Sequence, residues 1–308
     1  MTPAYLKAYE SGVLERRIDQ ARKWLNRCTL CPRMCRVNRA GDETGFCLTG
    51  RYAIVASYGP HFGEERPLVG RYGSGTIFFC GCNLMCMFCQ NYDISHTRDG
   101  TAVTPNQLAE IMLWLQKQGC HNINFVTPTH VIPQILESLP PAIEKGLNVP
   151  LVYNSSAYDR VPALRLLDGV FDIYMPDFKF WKSESAAKWC TAPDYPRRAR
   201  EALKEMYRQV GDLAIRNGIA ERGLLVRHLV MPGCVDETRE ILRFLATEIS
   251  VHTYVNIMDQ YRPCGEAFND PLLRRRITGD EYLSALEFAR EVGLTRLDDR
   301  RSFLLWSI

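Results

Sequence analysis

Apolar and polar positions along the chain alternate in blocks that switch between two periods. Over residues 5–27, Leu14, Ile18, Ala21 and Leu25 recur at helical spacing opposite Arg16, Arg17, Arg22, Lys23 and Arg27, which predicts an amphipathic helix with a solvated basic face. From residue 75 onward, short β-branched and aromatic runs predict strands at 75–80, 122–126, 149–153, 169–175, 224–230 and 254–258. Between them lie helix-period segments near 104–119, 131–145, 160–167, 196–217, 237–249 and 280–292. The first of these opens with Thr104-Pro105-Asn106-Gln107, a capping box with proline at the first helical position. Six strand–helix units in succession imply a parallel sheet with right-handed crossovers. Six units are too few for the eight-stranded closed form, so the expected fold class is α/β, a partial (β/α)6 TIM-like barrel. Its expected span is 75–308, preceded by a small cysteine-rich module and connector over 1–74. Glycines and Pro60 over residues 50–75 predict a connector of turns, in which His61, Glu64 and Glu65 read as solvated loop residues.

Net charge and apolar run lengths narrow the class of partner. A net charge of +3 on 308 residues argues for neither nucleic acid nor an anionic membrane surface. No apolar run approaches the roughly 18 residues of a spanning helix, and Met1-Thr2-Pro3-Ala4-Tyr5 lacks the apolar segment of a secretory signal. Seven of the twelve cysteines fall in two groups, which speaks for metal binding in a reducing compartment, and a cytoplasmic location is expected.

The chemistry concentrates in Cys82-Asn83-Leu84-Met85-Cys86-Met87-Phe88-Cys89, directly after the first barrel strand. Thiolates at this C-x3-C-x2-C spacing select a soft metal centre. A structural zinc site closes its tetrahedron with four protein ligands, whereas three leave one coordination position open. The second group, Cys28, Cys31, Cys35 and Cys47, has the spacing C-x2-C-x3-C-x11-C. Four thiolates close either a zinc tetrahedron or a fully cysteine-ligated iron–sulfur cluster. With an iron–sulfur cluster on the first group, a second [4Fe–4S] cluster is favoured here over zinc. Cys80 and Cys120 read as buried small hydrophobes, Cys190 and Cys234 have no evident partners, and Cys264 follows the last strand near the expected site. Arg274-Arg275-Arg276 reads as a solvated turn.

In barrels of this type the chemistry sits at the C-terminal strand ends. Polar residues gather there: Thr127-Pro128-Thr129-His130, Asn154-Ser155-Ser156, Asp177-Phe178-Lys179, Arg227-His228, then Asn256, Asp259, Gln260, Tyr261 and Arg262. So many polar groups where apolar residues would otherwise continue mark a site lining.

The cysteine loop, with Phe88 before its third cysteine, resembles the cluster loop of the radical S-adenosylmethionine (SAM) superfamily. Together with Asp177-Phe178-Lys179 and Arg227-His228-Leu229-Val230-Met231-Pro232-Gly233, it looks like the glycyl-radical-enzyme activating enzymes, of the pyruvate formate-lyase activating type. The run Cys28 to Arg39 with Gly45-Phe46-Cys47 resembles an uncharacterised branch of that group. The likeness to that branch covers nearly the whole chain, and that to the characterised activators about residues 75–260. The resemblance implies a [4Fe–4S] cluster on Cys82, Cys86 and Cys89 whose open iron chelates SAM. It implies Asp177 and Lys179 beside SAM, Arg227 near its carboxylate, and Asn154 and Ser156 at its ribose or methionine end. Characterised activators carry Gly-Gly-Glu where this chain has Thr127-Pro128-Thr129, so Thr127 and Thr129 become candidates for the amino contact. The ferredoxin module that several activators insert after the cluster loop is missing. The implied activity is reductive SAM cleavage to a 5′-deoxyadenosyl radical, with flavodoxin or ferredoxin as electron donor. The hydrogen donor would be a glycine of a partner glycyl radical enzyme, or a small molecule or peptide. A non-catalytic iron–sulfur or zinc protein is the alternative of a different class.

Overall fold

The computed structural model describes residues 2–298. Its strands are β1 (Ala53–His61), β2 (Ser74–Phe79), β3 (Thr101–Val103), β4 (Ile123–Val126), β5 (Leu151–Ser155), β6 (Ile173–Pro176), β7 (Ala214–Arg216), β8 (Ile219–Leu229) and β9 (Tyr254–Met258). Six of them, in the order β2-β4-β5-β6-β8-β9, pair in parallel. The sheet does not close, because β2 pairs on its other side with the antiparallel β1, and β1 with β3. The fold is therefore the expected open (β/α)6 barrel with a short antiparallel extension.

That extension corrects the sequence reading. Residues 50–75 were expected as a connector of turns, yet Ala53-Ile54-Val55 are buried and Ser57–His61 register against Ser74–Phe78. The glycines there bound a strand on the sheet edge. The helix expected over 5–27 is two helices, Ala4–Glu10 and Val13–Asn26, broken where Gly12 takes φ +69°. The helix expected over 196–217 stops at Val210 before Gly211, and Ala214–Arg216 folds back as β7 on a β8 that begins at Ile219. The strand expected from 169 starts at Ile173, since Gly169 at φ +72° still belongs to the preceding turn.

The apolar core is one large cluster with a smaller one around Val152, Ile173 and Leu225. Tyr5, Leu14, Ile18 and Ala21 of the first two helices lie in the same buried cluster as Phe79, Phe125 and Leu139. The basic helix face is only partly left to solvent, because Arg22 Nε stands 2.7 Å from the buried carboxylate of Glu137, which Arg51 also pairs with at 2.9 Å. The helix Pro105–Lys117 carries the expected capping box between Thr104 and Gln107. Among the described residues, no helix is long and apolar enough to cross a membrane. These helices cover the sheet's outer face and leave the C-terminal strand ends free to form a site.

Candidate active site

At the end of β2 the chain turns sharply through Gly81, which takes φ +76°. A β-carbon there would collide with the carbonyl oxygen of Cys47, so only glycine fits. The loop that follows puts Cys82, Cys86 and Cys89 on one wall of a cavity of about 350 Å³. The loop is held from behind: Asn83 Nδ2 donates to the Tyr158 carbonyl at 2.7 Å, and Phe88 packs edge-on against Phe180. The Leu84 amide points at Cys82 Sγ at 3.3 Å. Burial, then the neighbouring Cys86, pushes the Cys82 thiol up to about 12. Cys86 is raised well above the usual thiol range, first by a sulfur–sulfur hydrogen bond with Cys190 and then by burial. Cys190, which had no evident partner in the sequence, thus lies against a cysteine of the loop. Thiols this reluctant to ionise alone release their protons when a metal centre supplies the compensating charge.

The facing wall comes from strand ends. Thr127 follows β4, Asn154 and Ser155 close β5, Ser156 follows, and Asp177 and Lys179 follow β6. Arg227 and Leu229 come from β8, while Met258 and Gln260 stand at the end of β9. Lys179 Nζ bonds Asp177 Oδ2 at 2.6 Å, and Arg227 Nε stands 3.2 Å from the other carboxylate oxygen. The Lys179 and Arg227 cations hold Asp177 below the usual carboxylate range against the effect of burial. The hydroxyl of Ser156 is buried at the cavity without a hydrogen-bond partner, a polar atom left for a ligand.

The connector contributes what sequence reasoning set aside. His61, Gly63 and Glu64 line the cavity, because β1 delivers them beside β2. Glu64 Oε2 lies 3.3 Å from Arg227, and Glu65 lies 3.6 Å from it and accepts from Asn256 at 2.6 Å. Both glutamates are buried, correcting the expectation of solvated loop residues. The available signal was the run Ala53-Ile54-Val55-Ala56-Ser57-Tyr58, a strand pattern masked by the glycines after it.

Other candidates fall elsewhere. Thr129 is fully buried in a short helical turn, where its hydroxyl meets Tyr153 Oη at 3.4 Å behind β5. It does not line the cavity. His228 turns away from Arg227, its Nδ1 donating to the Phe178 carbonyl at 2.7 Å and its Nε2 bonded to Thr238 at 2.9 Å. Tyr261 is buried and donates to the Leu273 carbonyl.

Cys28, Cys31, Cys35 and Cys47 converge on a second pocket, with Arg33, Arg39, Gly45 and His130 around them. Gly45 is required there, since a β-carbon would sit 2.7 Å from Cys35 Cβ. The Phe46 amide points at Cys35 Sγ at 3.4 Å, and the buried Arg39 reaches Cys28 Sγ at 3.9 Å. Among the described residues, no three Cys, His, Asp or Glu side chains close on a point that would hold one metal ion.

The model of the radical SAM superfamily matches residues 76–245. The chain belongs to the radical SAM superfamily. It is an enzyme of the radical SAM type, and its relative, the uncharacterized protein MJ0674 of Methanocaldococcus jannaschii, is 33% identical over 306 residues. That match covers 96% of this chain and 83% of the relative. Radical SAM domains work with a [4Fe–4S] cluster and SAM, and the cavity fits both. An all-sulfur wall of three thiols suits iron–sulfur ligation, and charged, hydrogen-bonding groups face it from the opposite strand ends, where an amino acid cofactor needs them.

Proposed function

We propose that this radical SAM enzyme abstracts a hydrogen atom from a glycine of a partner protein, generating a glycyl radical. The size of the cavity carries the reading. About 350 Å³ sits at the small end of the ~300–1,000 Å³ range of single-ligand pockets. The same cavity, lined by Cys82, Cys86 and Cys89, has to take both cluster and SAM, so the substrate carbon is presented at the open mouth, as a protein loop can be.

Bound there, cluster and SAM would supply the chemistry, one-electron cleavage of SAM that yields the radical for taking the substrate hydrogen. The chain's residues bind and orient. Cys82, Cys86 and Cys89 would hold the cluster, three thiolates that leave a coordination position for SAM. Arg227 and Lys179 are the cations for the SAM carboxylate, and Asp177 fixes both by charge-assisted hydrogen bonds. Asn154 and Ser156 offer hydrogen bonds to the ribose or methionine end, and Thr127 and Glu64, which line the same cavity, offer acceptors to the ammonium group. The four N-terminal cysteines would hold a second [4Fe–4S] cluster, a reading supported by the all-thiolate donor set that lines one pocket. A flavodoxin or ferredoxin supplies the electron. The twelve free thiols suit the reducing cytoplasm.

The test uses reconstituted protein, reductant and SAM with an extract of cells grown on deuterated glycine, separated into macromolecular and dialysable fractions. Deuterium should appear in 5′-deoxyadenosine with the macromolecular fraction alone, and vanish in Cys82→Ala/Cys86→Ala/Cys89→Ala. Transfer from the dialysable fraction would replace this reading with small-molecule modification.

A further inference from the structure

The two cysteine sites are built into each other through three separate contacts. Arg33, between Cys31 and Cys35, reaches across to the cluster loop, its Nε donating to the Asn83 carbonyl at 2.9 Å and Nη2 to the Leu84 carbonyl at 3.3 Å. The same guanidinium donates to the carbonyls of Cys190 at 2.9 Å and Thr191 at 2.6 Å, and stacks 3.7 Å from the Phe46 ring beside Cys47. Second, the main chain at Cys47 presses on Gly81, the residue before Cys82. Third, His130 lines the four-cysteine pocket, and its Nε2 donates to the Cys80 carbonyl at 3.0 Å.

The four-cysteine pocket has the character of an electron-transfer site. Cys28, Cys31 and Cys47 are buried, and four protein thiolates leave no open coordination position for a substrate. Arg39 is 1% exposed with Nη2 unpartnered, and His130 Nδ1 is buried and unpartnered in the same pocket. A buried cation left unpaired is costly. Beside four thiolates it offsets their charge, and hydrogen bonds and charge near the sulfurs raise a cluster's reduction potential. Electron transfer weakens steeply with distance, and here a ligand residue of one site touches the neighbour of a ligand residue of the other.

We propose that the four-cysteine site is the electron entry port of the enzyme: it accepts one electron from a flavodoxin hydroquinone and passes it, across the Arg33–Cys47–Gly81 junction, to the site on Cys82, Cys86 and Cys89. The proposal rests on the reading of the four cysteines as cluster ligands. One electron leaves the flavin, which becomes a semiquinone. The four-cysteine site is reduced and then reoxidised, and the SAM-binding site ends one electron richer, with no bond made or broken before SAM cleavage.

The experiment counts iron and zinc in the full-length reconstituted protein, mixes it anaerobically with flavodoxin hydroquinone, and follows both sites by freeze-quench electron paramagnetic resonance. Added SAM perturbs only the signal of the site with an open iron, which distinguishes the two. In the wild type the SAM-insensitive signal should rise first and the SAM-sensitive one after it. Cys28→Ala/Cys31→Ala should slow flavodoxin reduction of the SAM-sensitive site by an order of magnitude, while titanium(III) citrate, small enough to bypass the port, reduces it at the wild-type rate. Arg33→Met, with the full iron content kept, should slow the second phase only. If the double variant fails to fold, the order of phases in the wild type decides alone. About eight irons with the SAM-sensitive signal rising first overturns the port and leaves the cluster reading intact. About four irons and one zinc overturns both.

Discussion

Glu64 Oε2 and a guanidinium nitrogen of Arg227 stand 3.3 Å apart, joining the loop after β1 to β8 across 163 residues of chain. Arg227 also meets Glu65 and Asp177, so a single half-buried cation organises three carboxylates at the cavity. SAM carries an ammonium and a sulfonium, and removing a carboxylate from this wall weakens their binding. Glu64→Gln keeps the shape and should raise the SAM dissociation constant about fivefold, a loss on the order of 1 kcal/mol. Calorimetric titration of the reconstituted enzyme checks it, and an unchanged constant would remove Glu64 from the SAM site.

Thr127 and Thr129, two residues apart, separate in space. Thr127→Val should weaken SAM binding and leave stability alone, since Thr127 lines the cavity. Thr129→Val should do the reverse, with a loss of about 1 kcal/mol, because its hydroxyl belongs to the buried network of Tyr153 and Asp159. SAM titration and urea unfolding of both variants separate the two effects.

With Cys86 ligated as thiolate, the sulfur proton shared with Cys190 can only be that of Cys190. Its S–H then donates to a ligand sulfur and stabilises the reduced cluster. Cys190→Ala should keep the iron and lower the potential of the SAM-binding site by an amount on the order of tens of millivolts, as read by redox titration. Loss of iron would instead make Cys190 a ligand.

Gly45→Ala should empty the N-terminal site selectively. The added carbon falls 2.8 Å from Cys35 Sγ and displaces it from the ligand set. Metal analysis should show the N-terminal metal lost and the SAM-sensitive signal retained.

His228 is buried neutral, held near pKa 4 by desolvation. In the unfolded chain it titrates near 6.5, so between about 6.5 and 4 the unfolded state binds the extra proton and stability falls as pH falls. The stability advantage of the wild type over His228→Gln should shrink by about 1.5 kcal/mol between pH 6.5 and 5. Urea unfolding at the two pH values measures it, and a constant difference would mean that the imidazole titrates normally in the fold.

The parallel core was legible because each barrel strand is a short apolar run buried on both faces, as Leu151-Val152-Tyr153 shows. Edge strands lack that mark. β1 is buried only at Ala53-Ile54-Val55 and runs into glycine, so its pairing partner, and not its composition, makes it a strand. Thr127 and Thr129 looked equivalent by position, and only the helical turn at Thr129–Val131 rotates the second hydroxyl into the core.

The sequence by itself determined the family, the three-thiol loop and the open six-unit barrel, because ligand spacing and hydrophobic period are local properties carried by neighbouring residues. The tertiary structure decided that Glu64 and Glu65 meet Arg227, that Cys190 lies on Cys86, and that the four-cysteine pocket abuts the cluster loop through Arg33 and Gly81. Those partners lie tens to more than a hundred residues apart, and their meeting depends on strand order, register and side-chain direction, which no local pattern encodes.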